Sequence, residues 1–184
     1  MGRPYREPAL RPVGEADGPF LFRLFASTRA PELAALGWTA AQEDAFLRMQ
    51  AEAQRRSYGL RFPEAHCSVV LRGGLPIGRL IVDRSGRCVH LVDIVLLPEH
   101  RGGGIGTALI RGLQAEAAQG LRPIRLHVRA SNRAAALYER LGFTPIGDSD
   151  FDRLMEWDPR ARGQPPGLPG QGSAWRATRS APPP

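Results

Sequence analysis

The stretch of residues 91–112 constrains the fold of this chain more than any other. It begins with an almost continuous apolar run, Leu91 to Leu97, which Asp93 interrupts and Pro98 ends. A strand with so little polar alternation is buried on both faces of a sheet. A turn with four glycines in five residues follows, at Gly102, Gly103, Gly104 and Gly106. Because helical periodicity comes next, the stretch predicts a central strand, a tight turn and a helix.

A glycine-rich turn at the start of a helix is suited to binding an anion. Glycine lets the backbone bend sharply and approach a ligand with no Cβ in the way. The free N–H groups of the first helical turn, with roughly half an elementary positive charge from the helix dipole, favour a phosphate group. We therefore expect this turn to bind phosphate.

Three phosphate-binding patterns place glycines in such a turn. The dinucleotide fingerprint G-x-G-x-x-G fails, because its third glycine would fall on Thr107 or Leu109. The P-loop pattern requires a lysine, and the chain contains none. Arg101, Gly104 and Gly106 do satisfy the pattern R-x-x-G-x-G. A glycine-rich turn without a ligand is the alternative.

A second motif, LHVRASNRAAALYERLGF, occupies residues 126–143. Together the two motifs resemble the signatures of the GNAT superfamily, the acyl-CoA-dependent N-acetyltransferases. The matching positions of the second motif are Asn132, Ala134, Leu137, Tyr138, Gly142 and Phe143. The resemblance implies an α/β (α+β) GNAT fold, with a mixed, mostly antiparallel central sheet of about six or seven strands flanked by about four helices.

Periodicity and turn residues predict the remaining elements. A short edge strand at Ala9–Val13 precedes a helix that Asp17 caps and Pro31 ends. A second helix begins with a capping box at Thr39 and runs to about Arg56. The later elements are strands at Ala65–Leu71, Leu75–Val82 and from Cys88, a helix at Thr107–Gln119, a strand at Ile124–Arg129, a helix around Tyr138 capped by Ser131 or Asn132, and strands at Phe143–Ile146 and Phe151–Trp157.

Charge and composition suggest one domain with a tail. The formal net charge is +7, and the arginines after Asp158 lie in a stretch rich in proline and glycine that has no acidic residue. We predict a GNAT domain over residues 1–158 and a disordered Pro/Gly/Arg-rich tail over residues 159–184. A mildly basic domain suits a polyanionic cofactor, and nucleic acid is not expected as a partner.

The sequence also bears on location and assembly. It shows no secretion signal and no apolar stretch long enough to span a membrane, so we expect a cytoplasmic protein, monomeric or homodimeric. Cys67 and Cys88 are expected to be core residues rather than a disulfide or a nucleophile. The spacing of His66, His90 and His100 is not that of metal ligands, so no metal is expected.

Acyl transfer to an amine needs a base for the amine and an acid for the leaving sulfur. An alkyl ammonium has a pKa of about 10.4, so deprotonation at pH 7 costs roughly 4–5 kcal/mol. A positioned base offsets most of this cost, since it contributes about 10²- to 10⁴-fold. A phenol keeps its proton at neutral pH and can serve as the acid. By resemblance Tyr138 occupies the family's general-acid position, with simple packing of its ring as the alternative.

Two residues are candidates for the base. His127 stands where many relatives carry glutamate, and histidine is suited to the role because it titrates near neutral pH. Asp93 is the other, because a carboxylate in an apolar strand is costly to bury without a partner. The two lie on neighbouring predicted strands and would form a pair. A core histidine, and an aspartate bound to an arginine or a loop amide, are the alternatives. Strand alternation predicts that His90 and Asp93 point to opposite faces.

The resemblance also implies which residues bind acetyl-CoA. The backbones of Leu96 and Leu97 would pair with the pantetheine arm, and a backbone N–H there would polarise the thioester carbonyl. Asn132 would hold the far end of the cofactor arm. The residues expected to wrap the pyrophosphate are Arg101, Gly102, Gly103, Gly104, Ile105, Gly106 and Thr107.

The expected function is transfer of the acetyl group of acetyl-CoA directly to a primary amine of a small molecule or peptide. The sequence does not name this acceptor. A non-catalytic acyl-CoA-binding module is one alternative. A protein-modifying subunit of a larger assembly, which docks through the arginine-rich tail, is another.

Overall fold

A computed structural model describes residues 8–33, 36–129, 132, 134–148 and 152–161. The strands are β1 (Ala9–Pro12), β2 (His66–Arg72), β3 (Leu75–Asp83), β4 (Val89–Leu96), β5 (Ile124–Arg129), β6 (Thr144–Asp148) and β7 (Asp152–Trp157). The helices are α1 (Gly18–Leu33), α2 (Ala40–Arg61), α3 (Ile105–Gln119) and α4 (Ala134–Arg140), with short 3-10 turns at Glu15–Asp17, Pro98–His100 and Pro159–Ala161.

One mixed sheet organises the domain. Its seven strands lie in the order β1-β2-β3-β4-β5-β7-β6. Every neighbouring pair is antiparallel except β4 and β5, which are parallel because α3 crosses over between them. The described residues therefore confirm the predicted mixed, mostly antiparallel sheet with flanking helices.

The main hydrophobic core lies between the sheet and α3. The buried face of α3 includes Ile110 and Leu113, which pack against Leu80 and Val82 of β3 and against the central strands. Their spacing on α3 follows the helical repeat, and alternate residues of β3 face the same core. This packing fixes the turn before α3 at the end of β4.

The helices α1 and α2 cover the opposite side. Helix α1 contacts β3 and α2, and it buries Leu24 and Phe25. By contrast, no residue of α2 is fully buried, although Tyr58 is half-buried. Its polar contacts nevertheless reach the sheet, because Gln54 accepts a hydrogen bond from Arg79 of β3 at 3.2 Å. Helix α2 is thus a cover over this face rather than part of the core.

Three predictions about the first two helices need correction. Helix α1 continues to Leu33, past Pro31; a proline removes one helical hydrogen bond, and the remaining bonds carry the helix two residues further. Asp17 ends the 3-10 turn before α1, where its carboxylate binds the Arg11 guanidinium at 2.7 Å and accepts the Gly14 N–H. The second helix has its predicted capping box at Thr39 but ends at Arg61.

Other predictions fall partly outside the described residues. This holds for Ser131 as a helix cap and for most of the tail. Within the predicted tail, Pro159–Ala161 form a 3-10 turn.

A β-bulge in β4 changes which side chains share a face. Asp93 pairs with Ile81, but Leu91 pairs with Val82, so β4 contains one extra residue between them. The His90 ring lies against Phe62 at the end of α2, with 5.5 Å between ring centroids. Asp93 bonds to Arg79 on the same side of the sheet. The prediction that His90 and Asp93 face opposite sides was therefore wrong, because a bulge inverts the alternation.

Close approach of β3 to β4 depends on Gly78. A Cβ at this position would lie 2.4 Å from the Val95 carbonyl oxygen and 2.6 Å from the Leu96 side chain. We expect Gly78→Ala to lower the free energy of unfolding by about 2 kcal/mol, measured by urea denaturation, because the strands must move apart. A matched control is Gly112→Ala on α3, where a Cβ meets nothing within 4 Å. That change should be neutral or slightly stabilising, and equal losses in both variants would contradict the prediction.

Candidate active site

The two central strands separate within the sheet. The parallel strands β4 and β5 pair at three positions only, from Val89 with Ile124 to Leu91 with Leu126. Beyond them, β4 continues beside β3 to Leu96, while β5 continues beside β7 to Arg129. A wedge-shaped gap therefore opens between β4 and β5, at the end of the sheet where β4 leads into the glycine-rich turn.

The glycine-rich turn has the geometry of an anion site. Gly102 and Gly104 have φ values of 75° and 79°, which side chains other than glycine rarely adopt. The N–H of Ala108 donates to the Gly104 carbonyl at 2.9 Å, closing the first turn of α3. The amides before it, of Ile105, Gly106 and Thr107, have no intrahelical acceptor and lie at the positive end of the helix dipole. Gly103 is exposed in the same turn.

At the end of β4, the main-chain N–H of one leucine bonds to the neighbouring strand, and the main-chain groups of the other face the gap. Leu97 donates its N–H to Ile77 of β3 at 2.9 Å, and its carbonyl accepts the His100 N–H at 2.9 Å. Consecutive residues of a strand direct their polar groups to opposite sides, so those of Leu96 face the gap. The Leu96 carbonyl accepts a bond from Nε of Arg101 at 2.8 Å. Of Leu96 and Leu97, it is therefore Leu96 whose main-chain N–H and carbonyl face the gap.

Tyr138 lies on α4, the helix that follows β5. Its side chain is buried in the main core, and its ring meets Phe143 edge-on with 5.6 Å between centroids. Burial raises the pKa of Tyr138 to about 12, and the negative charge of Asp93 contributes to the increase. The phenol therefore holds its proton throughout the neutral range.

Asp93 is paired with an arginine. Its Oδ2 atom accepts hydrogen bonds from two nitrogens of Arg79, at 2.5 and 3.1 Å, and the same guanidinium donates to Gln54 of α2. Burial raises the pKa of Asp93, while the charge and hydrogen bonds of Arg79 act in the opposite direction. The sequence suggested a pair with His127, but the structure places Arg79 in that role.

His127 is an exposed side chain on β5. It follows the last pair of β4 and β5 residues, so it stands where the gap opens. Burial lowers the pKa of His90, and His127 lies close enough to make a smaller contribution in the same direction. The alternative of a core histidine is therefore wrong.

Two further residues of this region escaped the sequence analysis. Arg79 is a charged residue within an otherwise apolar strand, the same signal that singled out Asp93. Tyr58 of α2 lies near both: burial raises its pKa to about 12, and the charge of Asp93 adds to this effect while that of Arg79 opposes it. No pattern distinguishes Tyr58 from the other residues of an exposed helix.

Asn132 lies at the start of α4. Its side-chain oxygen accepts the Ala134 N–H at 2.9 Å, and its carbonyl accepts the Ala135 N–H at 3.0 Å. The residue thus serves as a helix cap, one of the two caps that the sequence suggested. Its side chain is exposed and its amide nitrogen stays available on the surface.

The described residues lack a metal-ligand cluster and a membrane-spanning helix. No group of three or more histidine, cysteine, aspartate or glutamate side chains there is arranged to hold a metal ion. No helix in that part of the chain combines the length and the apolar character needed to cross a membrane.

The Arg79–Asp93 pair leads to a stability prediction. We expect Arg79→Met to lower the free energy of unfolding by about 3 kcal/mol at pH 7, since it leaves a buried carboxylate without its partner. Urea denaturation measures this loss. The loss should shrink as the pH falls, because a carboxyl group with a raised pKa takes up a proton on folding and the neutral form needs no partner.

The matched control is the double variant Arg79→Met/Asp93→Leu. Removal of both charges should recover most of the loss, because no unpaired charge remains. A double variant as unstable as Arg79→Met alone would contradict the prediction.

Comparisons with known proteins agree with this geometry. Residues 63–145 match the model of the acetyltransferase (GNAT) domain. A search of curated proteins found no match for this sequence. The fold is similar to that of PaiA N-acetyltransferase from Thermoplasma acidophilum in complex with coenzyme A, with a TM-score of 0.61, 16% identity, and coverage of 83% of this chain and 99% of that chain.

Two other solved structures are also similar. A histone acetyltransferase HPA2 and related acetyltransferase from Corynebacterium glutamicum has a TM-score of 0.59 and 26% identity, over 89% of this chain and 99% of that chain. A chimera of the spermidine N-acetyltransferase SpeG from Vibrio cholerae and hSSAT has a TM-score of 0.58 and 22% identity, over 84% of this chain and 97% of that chain. The domain match, the two motifs and the fold agree: residues 63–145 match a GNAT acetyltransferase domain and the structure has the GNAT fold, which supports an acyl-CoA-dependent N-acetyltransferase.

Proposed function

We propose that this protein transfers the acetyl group of acetyl-CoA directly to a primary amine of a small molecule or peptide. The observation that carries the proposal is the gap between β4 and β5, which leads into the glycine-rich turn. Tyr138 lies in the adjoining core, within reach of the charge of Asp93 on β4. Acetyl-CoA, as co-substrate, supplies the thioester whose C–S bond breaks as the bond to the amine nitrogen forms.

The residues of the gap fit this co-substrate. The glycine conformations at Gly102 and Gly104, with the free amides of Ile105 to Thr107, suit a pyrophosphate. Gly103 and Arg101 belong to the same turn, and the Arg101 guanidinium supplies a positive charge there. The gap-facing backbone of Leu96 suits the pantetheine arm; we assign Leu97 a supporting role, since its backbone binds Ile77 and His100. Asn132 would bind through its free amide nitrogen.

Two side chains would handle the protons. We assign Tyr138 as the acid that returns a proton to the leaving sulfur, because its raised pKa keeps the phenol protonated. We assign His127 as the base that accepts the proton of the amine, because it is exposed at the opening of the gap. Asp93, whose charge Arg79 balances, would line the acceptor side of the gap beside the incoming amine. The N–H of Leu96 would stabilise the negative charge that develops on the carbonyl oxygen.

The acceptor amine would enter from the α2 side. Tyr58 and Gln54 of α2 lie beside the Arg79–Asp93 pair on that face, so α2 forms one wall of the entrance. Two similar structures are named for different acceptors, a histone and spermidine. This spread supports an amine acceptor in general and leaves the choice between small molecule and peptide to experiment.

Turnover by the Tyr138→Phe variant tests the proposal. Thiol release from acetyl-CoA is measured with polyamines, amino acids, aminoglycosides and short peptides as acceptors. We expect one acceptor class to be turned over by the wild type, and kcat to fall about 10²-fold in Tyr138→Phe. Tyr58→Phe is the control, because it removes the only other described tyrosine hydroxyl, and it should change KM more than kcat.

The possible results separate the rival functions. Undiminished turnover in Tyr138→Phe would refute its assignment as the acid. A melting temperature that rises with acetyl-CoA, without turnover of any acceptor, would indicate an acyl-CoA-binding module instead of an enzyme.

A second prediction concerns the glycine-rich turn. Gly104→Val should abolish the rise in melting temperature that acetyl-CoA causes, because a β-branched residue is strained at φ 79° and would fill the space of the phosphate. Gly112→Val, on the same helix and open to solvent, is the control and should keep the full rise. If Gly104→Val binds acetyl-CoA as tightly as the wild type, the turn is not the binding site.

A further inference from the structure

A second basic cavity lies at the opposite end of the sheet from the glycine-rich turn. It has a volume of about 640 Å³ and forms where the loop after β3, the loop after α3 and the 3-10 turn Pro159–Ala161 meet. Its lining includes Cys88, immediately before β4, and Gly120, immediately after α3. The glycine-rich turn lies at the other end of both elements, and α3 alone spans roughly 22 Å. We call this region the distal cavity.

Four of the residues that line the distal cavity are arginines: Arg84, Arg87, Arg122 and Arg160. Glu116 neutralises Arg84 through two hydrogen bonds, at 2.5 and 2.9 Å. Within the described part of the chain, no carboxylate lies within ion-pair distance of the other three guanidinium groups. Asp83 and Asp158 are near, but their bonds go to Ser85 and to the main-chain N–H of Arg160.

Arg122 is fixed in place by the backbone. One terminal nitrogen of its guanidinium donates to the carbonyls of Arg84 and Gly86, each at 2.6 Å, and approaches that of Cys88 at 3.2 Å. Its Nε is buried and has no hydrogen-bond partner among the described residues. The three carbonyls fix the guanidinium, while the carboxylates of Asp83 and Glu116 act on its charge without forming an ion pair with it. The guanidinium is thus held in place at the cavity before any anion binds.

We propose that the distal cavity binds a small oligophosphate, meaning a chain of two or three linked phosphates. The volume is within the range of small-molecule sites. One phosphate would occupy only part of it, whereas a phosphate chain can reach Arg87, Arg122 and Arg160 together. None of the lining residues in the described chain is aromatic, so no ring is available there to stack on the base of a nucleotide. The cavity would therefore recognise the phosphates alone.

The site is distinct from that of acetyl-CoA and is independent of catalysis. Inorganic triphosphate and the triphosphate of a free nucleotide carry the same chemistry, and the experiment separates them. The protein is first saturated with coenzyme A, which occupies the glycine-rich turn. Binding of inorganic triphosphate to the full-length chain is then measured by isothermal titration calorimetry.

The decisive variant is Arg87→Ala/Arg160→Ala, which removes two exposed guanidinium groups and leaves the Arg122 anchor intact. We expect its Kd for triphosphate to rise at least about tenfold, because each lost arginine removes a charge-assisted hydrogen bond. The matched control is Arg111→Ala/Arg140→Ala. These arginines line another cavity, of about 460 Å³, and the change in charge is the same. Its Kd should stay within about twofold of the wild type.

Several results would overturn the proposal. One is the absence of triphosphate binding to the wild type with coenzyme A bound, and another is an equal loss in both double variants, which would indicate nonspecific attraction. ATP should bind in competition with triphosphate; binding of ATP without binding of triphosphate would mean that the nucleoside is recognised instead. Binding of a single-stranded RNA oligonucleotide that triphosphate fails to displace would assign the cavity to nucleic acid.

Discussion

The early separation of β4 from β5 is the constraint on which the site depends. A sheet normally satisfies the main-chain groups of its central strands by pairing them with their neighbours. Here pairing stops after three positions, so Leu96 and the residues before it face an opening in the middle of the sheet. Because β4 runs directly into the glycine-rich turn, the same opening leads to the free amides of α3. One interruption of the ladder thus aligns an unpaired main-chain edge with the turn proposed to bind the pyrophosphate.

The Arg79–Asp93 pair controls the electrostatics beside this opening. A buried carboxylate is tolerated only with a charged or hydrogen-bonding partner, and Arg79 supplies it from the neighbouring strand. The negative charge of Asp93 also acts on two tyrosines: together with burial, it raises the pKa of both Tyr58 and Tyr138. The Arg79–Asp93 pair therefore lies within electrostatic reach of tyrosines on both α2 and α4.

Much of the fold was predictable because local signals agreed with one another. The glycine-rich turn and the apolar runs placed the central strands and the crossover helix close to their observed bounds. The β4 bulge was not predictable, since one extra residue leaves no mark in an apolar run. It moved Asp93 to the face of His90. For the site, the motifs identified the turn and Tyr138, whereas the partner of Asp93 depends on strand register, which no short motif encodes.

Because no residue of α2 is fully buried, the surface shape of this helix can change without a matching change in folding stability. Mutations in a core helix change stability and shape at once, which restricts the substitutions that selection tolerates. Changes on the exposed surface of α2 leave the core packing between the sheet and α3 untouched. If α2 forms a wall of the acceptor entrance, its sequence can diverge quickly while the fold persists. In such a protein, specificity for the acceptor can change with little loss of folding stability.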